Sequence, residues 1–156
     1  YAEYLGGGFK LESWGVTTPR IGYDFYNDAI ELSLRNSNVK KSQIDLICAH
    51  GVGTQISDYY EARAFNKVFA DFKIPVTAFK PFVGHCLGAS NLIEIIILLM
   101  SIKEQVQIPV MTSDKTSLRQ DINLALEKKR LHIEYALKTC SAFAGFVSSS
   151  VFKKLS

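Results

Sequence analysis

Residues 44–54 read IDLICAHGVGT, a short apolar run that stops at a histidine and a loop with alternating glycines. Ile44, Leu46, Ile47, Cys48 and Ala49 make the nearly continuous apolar segment found in parallel strands covered on both faces. His50 follows directly, and the flanking glycines let the backbone turn sharply and let a ligand approach closely. Residues 75–79, PVTAF, repeat the pattern as a second short strand. That run ends at Lys80 and Pro81, with Gly84 and His85 a few residues further on. In open α/β sheets the chemistry collects beyond the carboxyl ends of the strands. His50, His85 and Lys80 all fall at such ends, whereas His132, in LHIE, reads as a strand or surface residue.

Outward from these strands the elements alternate. Residues 1–9 are β-prone, with Gly6, Gly7 and Gly8 marking a strand end or bulge. Thr17, Thr18 and Pro19 have loop chemistry. Phe25, Tyr26, Ala29, Ile30, Leu32 and Leu34 give residues 23–36 the spacing of an amphipathic helix. Ser57 or Asp58 is placed to cap a helix that runs to about Phe69, with Glu61 in its first turn. A long helix is predicted over 87–105 and a strand over 106–111. The polar stretch 112–130 carries a predicted helix at 119–129. Residues 139–145 read as a small-residue loop or strand and 146–152 as a final strand. Strands alternating with helices, without internal repeats, place the chain in the α/β class.

Bulk properties exclude several function classes. Of 156 residues, 47% are hydrophobic and 21% charged, a globular rather than disordered composition, and long enough to bury a core. A net charge of +3, with only short basic runs at 128–130 and 153–154, gives no footprint for nucleic acid. The most apolar stretch, 92–102, is shorter than the roughly 20 residues of a membrane span and contains Glu94. Cys48, Cys86 and Cys140 are odd in number and lack CxxC spacing, which fits a reducing cytoplasm better than a disulfide scaffold. There is no signal-peptide pattern. The chain opens without methionine on residues that already read as strand, which suggests a piece of something longer.

A neutral imidazole can donate an N–H to a developing oxyanion and exchange a proton near neutral pH, and a nearby lysine tunes it. Metal binding is the rival use of paired histidines. HGVGT and GHCLG lack the HxH or HxxxH spacing that sets two ligands together, and no third ligand is evident, so no metal site is expected.

These segments resemble the elongating β-ketoacyl synthases of fatty-acid and polyketide type. IDLICAHGVGT is similar to the family's strand and HGTGT loop. Residues 57–68 resemble the helix that follows it, and residues 78–94, AFKPFVGHCLGASNLIE, resemble the family lysine and its GH-x-x-GA-x-x-x-x-E helix. Residues 140–152 resemble the closing GFGGTN segment, and residues 1–19 the start of the enzymes' second half. The resemblance implies the C-terminal half of a thiolase-like fold over residues 1–156: a mixed five-stranded sheet with helices, one of them buried at the centre. It implies decarboxylative Claisen condensation of an acyl thioester with malonyl-acyl carrier protein. His50 and His85 would bind the thioester carbonyl, with Lys80 supporting them. Glu61 would organise the network, and Glu94 would be a structural carboxylate. Thr54 would bind the phosphopantetheine arm, Phe143 would gate the site, and Thr17 would line the same tunnel. The implied partners are acyl carrier protein, the N-terminal half with its nucleophilic cysteine, and a second chain in a homo- or heterodimer. No cofactor is implied beyond the phosphopantetheine carried by the substrate.

Departures from the pattern are Val52 for a threonine, Ala142 and Ala144 for glycines, and Cys48 and Val147 for asparagines that help build a cation site in some members. Two other classes compete with the synthase. One is a non-catalytic partner similar to a chain-length factor. The other is a Cys–His hydrolase using Cys86, which follows His85 at a predicted helix start where the dipole lowers a thiol pKa. Finally, Ile93, Ile95, Ile96, Ile97, Leu98, Leu99, Met100 and Ile102 make the long helix apolar nearly all round. Such a helix is expected to be buried on both sides, between the sheets of the two halves.

Overall fold

The computed structural model describes residues 1–13, 15–17, 25–111 and 118–155. Thr18, Pro19, Tyr23 and residues 112–117 of the polar stretch lie outside them. Among the described residues, seven strands and four helices follow in order: β1 (Ala2–Leu11), α1 (Phe25–Ser37), β2 (Leu46–Cys48), α2 (Gln55–Phe69), β3 (Val76–Thr77), α3 (Lys80–Val83), α4 (Ser90–Glu104), β4 (Val106–Gln107), β5 (Lys129–Arg130), β6 (Tyr135–Ala142) and β7 (Phe146–Lys154). The main sheet has five strands in the order β1-β7-β6-β2-β3. β1, β7 and β6 pair antiparallel, while β6, β2 and β3 run parallel. The sheet is therefore mixed, and its three parallel strands present their carboxyl ends together.

Residue alternation divides the core between the two faces. Ile47 and Ala49 of β2 and its exit pack with Phe25, Ile30, Phe65 and Val68 of α1 and α2. Leu46 and Cys48 point the other way, into a cluster with Leu98 and Ile102 of α4. The glycines of β1 do not end the strand. They lie within it, with a bulge between Tyr4 and Gly6, and allow α1 to lie close. A Cβ on Gly8 would stand 2.1 Å from the carbonyl oxygen of Ala29.

The structure departs from the predicted elements at four places. The helix predicted at 119–129 is absent, because this segment runs extended beside β3. Val76 N–H donates to Asn123 O, and Ala125 N–H donates to Val76 O, each at 2.8 Å. The predicted strand 106–111 is strand only at Val106–Gln107, which pairs with β5 in a separate ribbon. α2 begins at Gln55 after Thr54, so Glu61 falls in its second turn rather than its first. β6 begins at Tyr135, ahead of the predicted loop or strand, and is the middle strand of the sheet.

Helix α4 buries one stripe, Ser90, Glu94, Leu98, Ser101 and Ile102, and leaves another open. Leu92, Ile96 and Met100, four residues apart and so aligned along the helix, are 63%, 50% and 51% exposed in this chain. Covering each would contribute roughly 1.5–3 kcal/mol. Expressed alone, residues 1–156 are expected to self-associate and bind a hydrophobic dye. Light scattering and dye fluorescence check this, and a dye-silent monomer would contradict it.

Candidate functional site

β2 ends at Cys48, and two residues later His50 enters the space above the parallel strands. Gly51 turns the chain there with φ +50, and a Cβ at that position would lie 2.6 Å from that of Ala78. Glu61 comes up from α2 beneath this turn. Its carboxylate accepts the backbone N–H of His50 at 2.8 Å and of Gly51 at 3.0 Å, and the Thr139 hydroxyl at 2.5 Å. Asp58, the predicted cap, instead accepts Gly53 N–H at 3.1 Å, fastening the other side of the loop. Burial, then repulsion from Glu61, raises its pKa to about 6 against the lowering effect of hydrogen bonds from Gly53 and Val52.

On the opposite face, Lys80 opens the short helix α3 directly after β3. Its buried ammonium donates to Glu94 Oε1 at 2.6 Å and to the His50 carbonyl, and stands 3.2 Å from His50 Nδ1. An ammonium has only donors, so His50 Nδ1 is the acceptor and the neutral ring carries its proton on Nε2. Burial, then the charges of Lys80, Lys138 and His85, lowers the His50 pKa to about 3, so the ring is neutral at physiological pH. His85 takes the same tautomer by a different route. Leu87 N–H donates to its Nδ1 at 3.1 Å, and Ser90 Oγ lies 3.1 Å from the same atom, which leaves the proton on Nε2. The two rings meet edge to face, 5.8 Å between centroids. Each presents an N–H donor.

Both histidines line a cavity of about 400 Å³. Thr54, Phe143 and Thr17 line it too, so the structure brings these five sequence candidates to one space. Lys80 and Glu61 lie behind it bonded to His50, and Glu94 accepts from Lys80. Val52 also faces the cavity, and the closing loop carries Ala144 in the left-handed region at φ 63, a conformation better suited to glycine. Cys86 is turned away. Its thiol lies against the carbonyls of Val83 and Gly84, at 3.5 and 3.9 Å, and it does not line the cavity. His132 is exposed, as a surface residue.

Sequence reasoning missed Lys138 and Thr139. Lys138 is 1% exposed in the middle strand, and its ammonium lies 2.8 Å from Glu94 Oε2. Burial works against its charge, but the Cys48 sulfur and the Glu94 carboxylate together raise its pKa. Glu94 is thus shared between two ammonium groups, one on each oxygen. The signal was a lysine inside the otherwise apolar and small run ALKTC, which a strand starting at Tyr135 would have placed indoors.

Residues 1–114 match the family described as "Beta-ketoacyl synthase, C-terminal domain". The chain belongs to this family. Similar β-ketoacyl synthases include 3-oxoacyl-[acyl-carrier-protein] synthase 2 of Coxiella burnetii, 27% identical over 99% of this chain and 38% of the relative. The chloroplastic 3-oxoacyl-[acyl-carrier-protein] synthase I of Hordeum vulgare is 31% identical over 97% of this chain and 33% of the relative. Among solved structures, a type II polyketide acyl carrier protein in complex with its ketosynthase bound to the hexaketide has a TM-score of 0.89. The match is at 27% identity and covers 100% of this chain and 39% of that one. A β-ketoacyl synthase from Burkholderia phymatum, 24% identical over 99% of this chain and 38% of its own, shares the fold with a TM-score of 0.90. The ketosynthase fold is therefore thiolase-like and α/β, and this chain spans well under half the length of these relatives. Among the described residues no helix is long and apolar enough to cross a membrane, and no cluster of three or more His, Cys, Asp or Glu is placed to hold a metal.

Proposed function

We propose that this chain is the C-terminal half of a condensing enzyme and supplies the decarboxylation half-site for a malonyl thioester on acyl carrier protein. The observation that carries this reading is the pair of imidazoles lining one cavity, each with Nδ1 engaged as an acceptor and the proton therefore on Nε2. In the step, the bond between the malonyl α-carbon and its carboxylate breaks and carbon dioxide leaves. The electron pair moves into the thioester, placing negative charge on the carbonyl oxygen. His50 and His85 donate to that oxygen, and fixed donors aimed at developing charge are the main source of rate in such steps. Lys80 keeps His50 in the donating tautomer, and Glu61 fixes its backbone. Thr54, Thr17 and Phe143 line the route of the phosphopantetheine arm, with Phe143, 66% exposed, at the mouth.

The enolate carbon then attacks an acyl thioester held on a cysteine of the N-terminal half, expelling the thiolate and forming the new carbon–carbon bond. The acting protein is a dimer of complete synthase chains, homo- or heteromeric, working in the cytoplasm in fatty-acid or polyketide synthesis.

The test is release of carbon dioxide from malonyl-acyl carrier protein by the complete protein. Failure to decarboxylate, with folding intact, would assign the chain to the non-catalytic role of a chain-length factor. Cys86→Ala is expected to leave condensation within about twofold, as for a surface substitution worth under 0.5 kcal/mol. Mass spectrometry showing an acyl group on Cys86 would instead support the hydrolase.

A further inference from the structure

We propose that Lys138 is a positioning residue of this site, a tethered cation that holds Glu94 and, through it, the Lys80 that sets His50. The inference rests on the decarboxylation reading above and adds a residue to it. A buried ammonium is costly, and its charge must be fully partnered. Lys138 meets that demand with three oxygens: Glu94 Oε2 at 2.8 Å, Ala49 O at 3.2 Å and Thr139 O at 2.5 Å. None is incidental to the site. Ala49 directly precedes His50, Thr139 donates to Glu61, and Glu94 gives its other oxygen to Lys80. Lys138 therefore joins the carboxylates on the two faces of the sheet at the strand ends where the histidines stand.

Removing this cation would leave Glu94 held on one oxygen only, free to rotate and to carry Lys80 away from His50 Nδ1. The electrostatic setting would change as well. The charged and titratable groups around His50 are Lys80, Lys138, Glu61, Glu94 and His85, with Glu12 and Tyr26 lining the same cavity, Asp58 across the loop, and the Cys48 and Cys140 thiols beyond. With Lys138 gone, one of the positive charges that keep His50 unprotonated is lost, so its protonation would move to higher pH.

The experiment uses the complete protein. Lys138→Met is expected to slow malonyl-thioester decarboxylation by about 10- to 100-fold, the range for losing a group that orients site residues from behind. The acid limb of its pH–rate profile should move to higher pH. Lys138→Ala leaves the three oxygens around a space for a small cation. Ammonium or potassium chloride is expected to raise its rate and its Tm saturably, as a ligand bound only by the folded state does. Choline chloride at equal ionic strength should do neither. A wild-type rate and pH profile for Lys138→Met, or rescue by choline equal to that by ammonium, would overturn the proposal.

If Lys138→Ala does not fold, Lys138→Met still carries the test, because it removes the charge, keeps the stem and leaves the Lys80–Glu94 pair in place. Loss of rate with a shifted acid limb supports positioning, and a wild-type rate and pH profile overturns it. If the wild-type protein itself releases no carbon dioxide, the decarboxylation reading fails. The salt-specific Tm of Lys138→Ala still reads the cage on its own, and its absence counts against the proposal.

Discussion

Alanine at His50, or at His85, is expected to reduce malonyl-thioester decarboxylation by the complete protein by about 100- to 1000-fold, the usual cost of one oxyanion donor. The two substitutions should act alike in rate, because each removes one Nε2–H donor from the same cavity. They should differ in stability. His50 is buried, with its backbone and ring tied to Glu61 and Lys80. His85 sits in an exposed turn, hydrogen-bonded to Ser90 and Leu87 and in edge contact with the His50 ring, so its loss should move Tm less. Carbon dioxide release and thermal unfolding measured on the same preparations check both statements. Wild-type rates in both variants would remove the site assignment.

The largest stability effect is expected at Glu94. Glu94→Ala leaves the ammonium groups of Lys80 and Lys138 facing each other, both buried, with no carboxylate between them. Removing one member of a buried ion set costs about 3–5 kcal/mol, chiefly because the partner charge is stranded. Against a typical net stability of about 5–15 kcal/mol, that is a large fraction. The surface pair Lys153–Glu134, at 3.7 Å with both side chains more than a third exposed, provides the contrast. Lys153→Ala should change stability by no more than about 1 kcal/mol. Urea unfolding of the two variants measures the difference, and equal small effects would mean that the buried charges relax into water on losing their partner.

The residues that the structure gathers at this cavity could largely be picked out in the sequence because they sit where strands end. A short apolar run followed by His50 or Lys80 marks both a strand and the residue just beyond it, and β2 and β3 lie where those runs placed them. Thr54, Phe143 and Thr17 could not be gathered by any local pattern. They come from three separate segments, and the family resemblance alone joined them before the cavity showed them together. Lys138 stayed hidden for the opposite reason. Burial of a lysine depends on acceptors from Ala49 and Glu94, far away in sequence, and strand periodicity carries no mark of them. The helix predicted at 119–129 failed because the open edge of β3 offered Val76 as a hydrogen-bonding partner to Asn123 and Ala125. α4 shows a third case. Its all-round apolarity suggested two covers, and the structure buries one face, at Leu98 and Ile102, while Leu92, Ile96 and Met100 stay exposed.

The central claim is that two imidazoles, each with its proton on Nε2, stand ready in one cavity. Nitrogen-15 NMR of the complete protein, with histidine labelled and His50 and His85 assigned by substitution, reads the tautomer of each ring directly. At pH 7 His50 is predicted to be neutral, and in both rings the proton is expected on Nε2 with Nδ1 acting as a hydrogen-bond acceptor. A proton on Nδ1 of either ring, or an imidazolium at His50, would contradict the account.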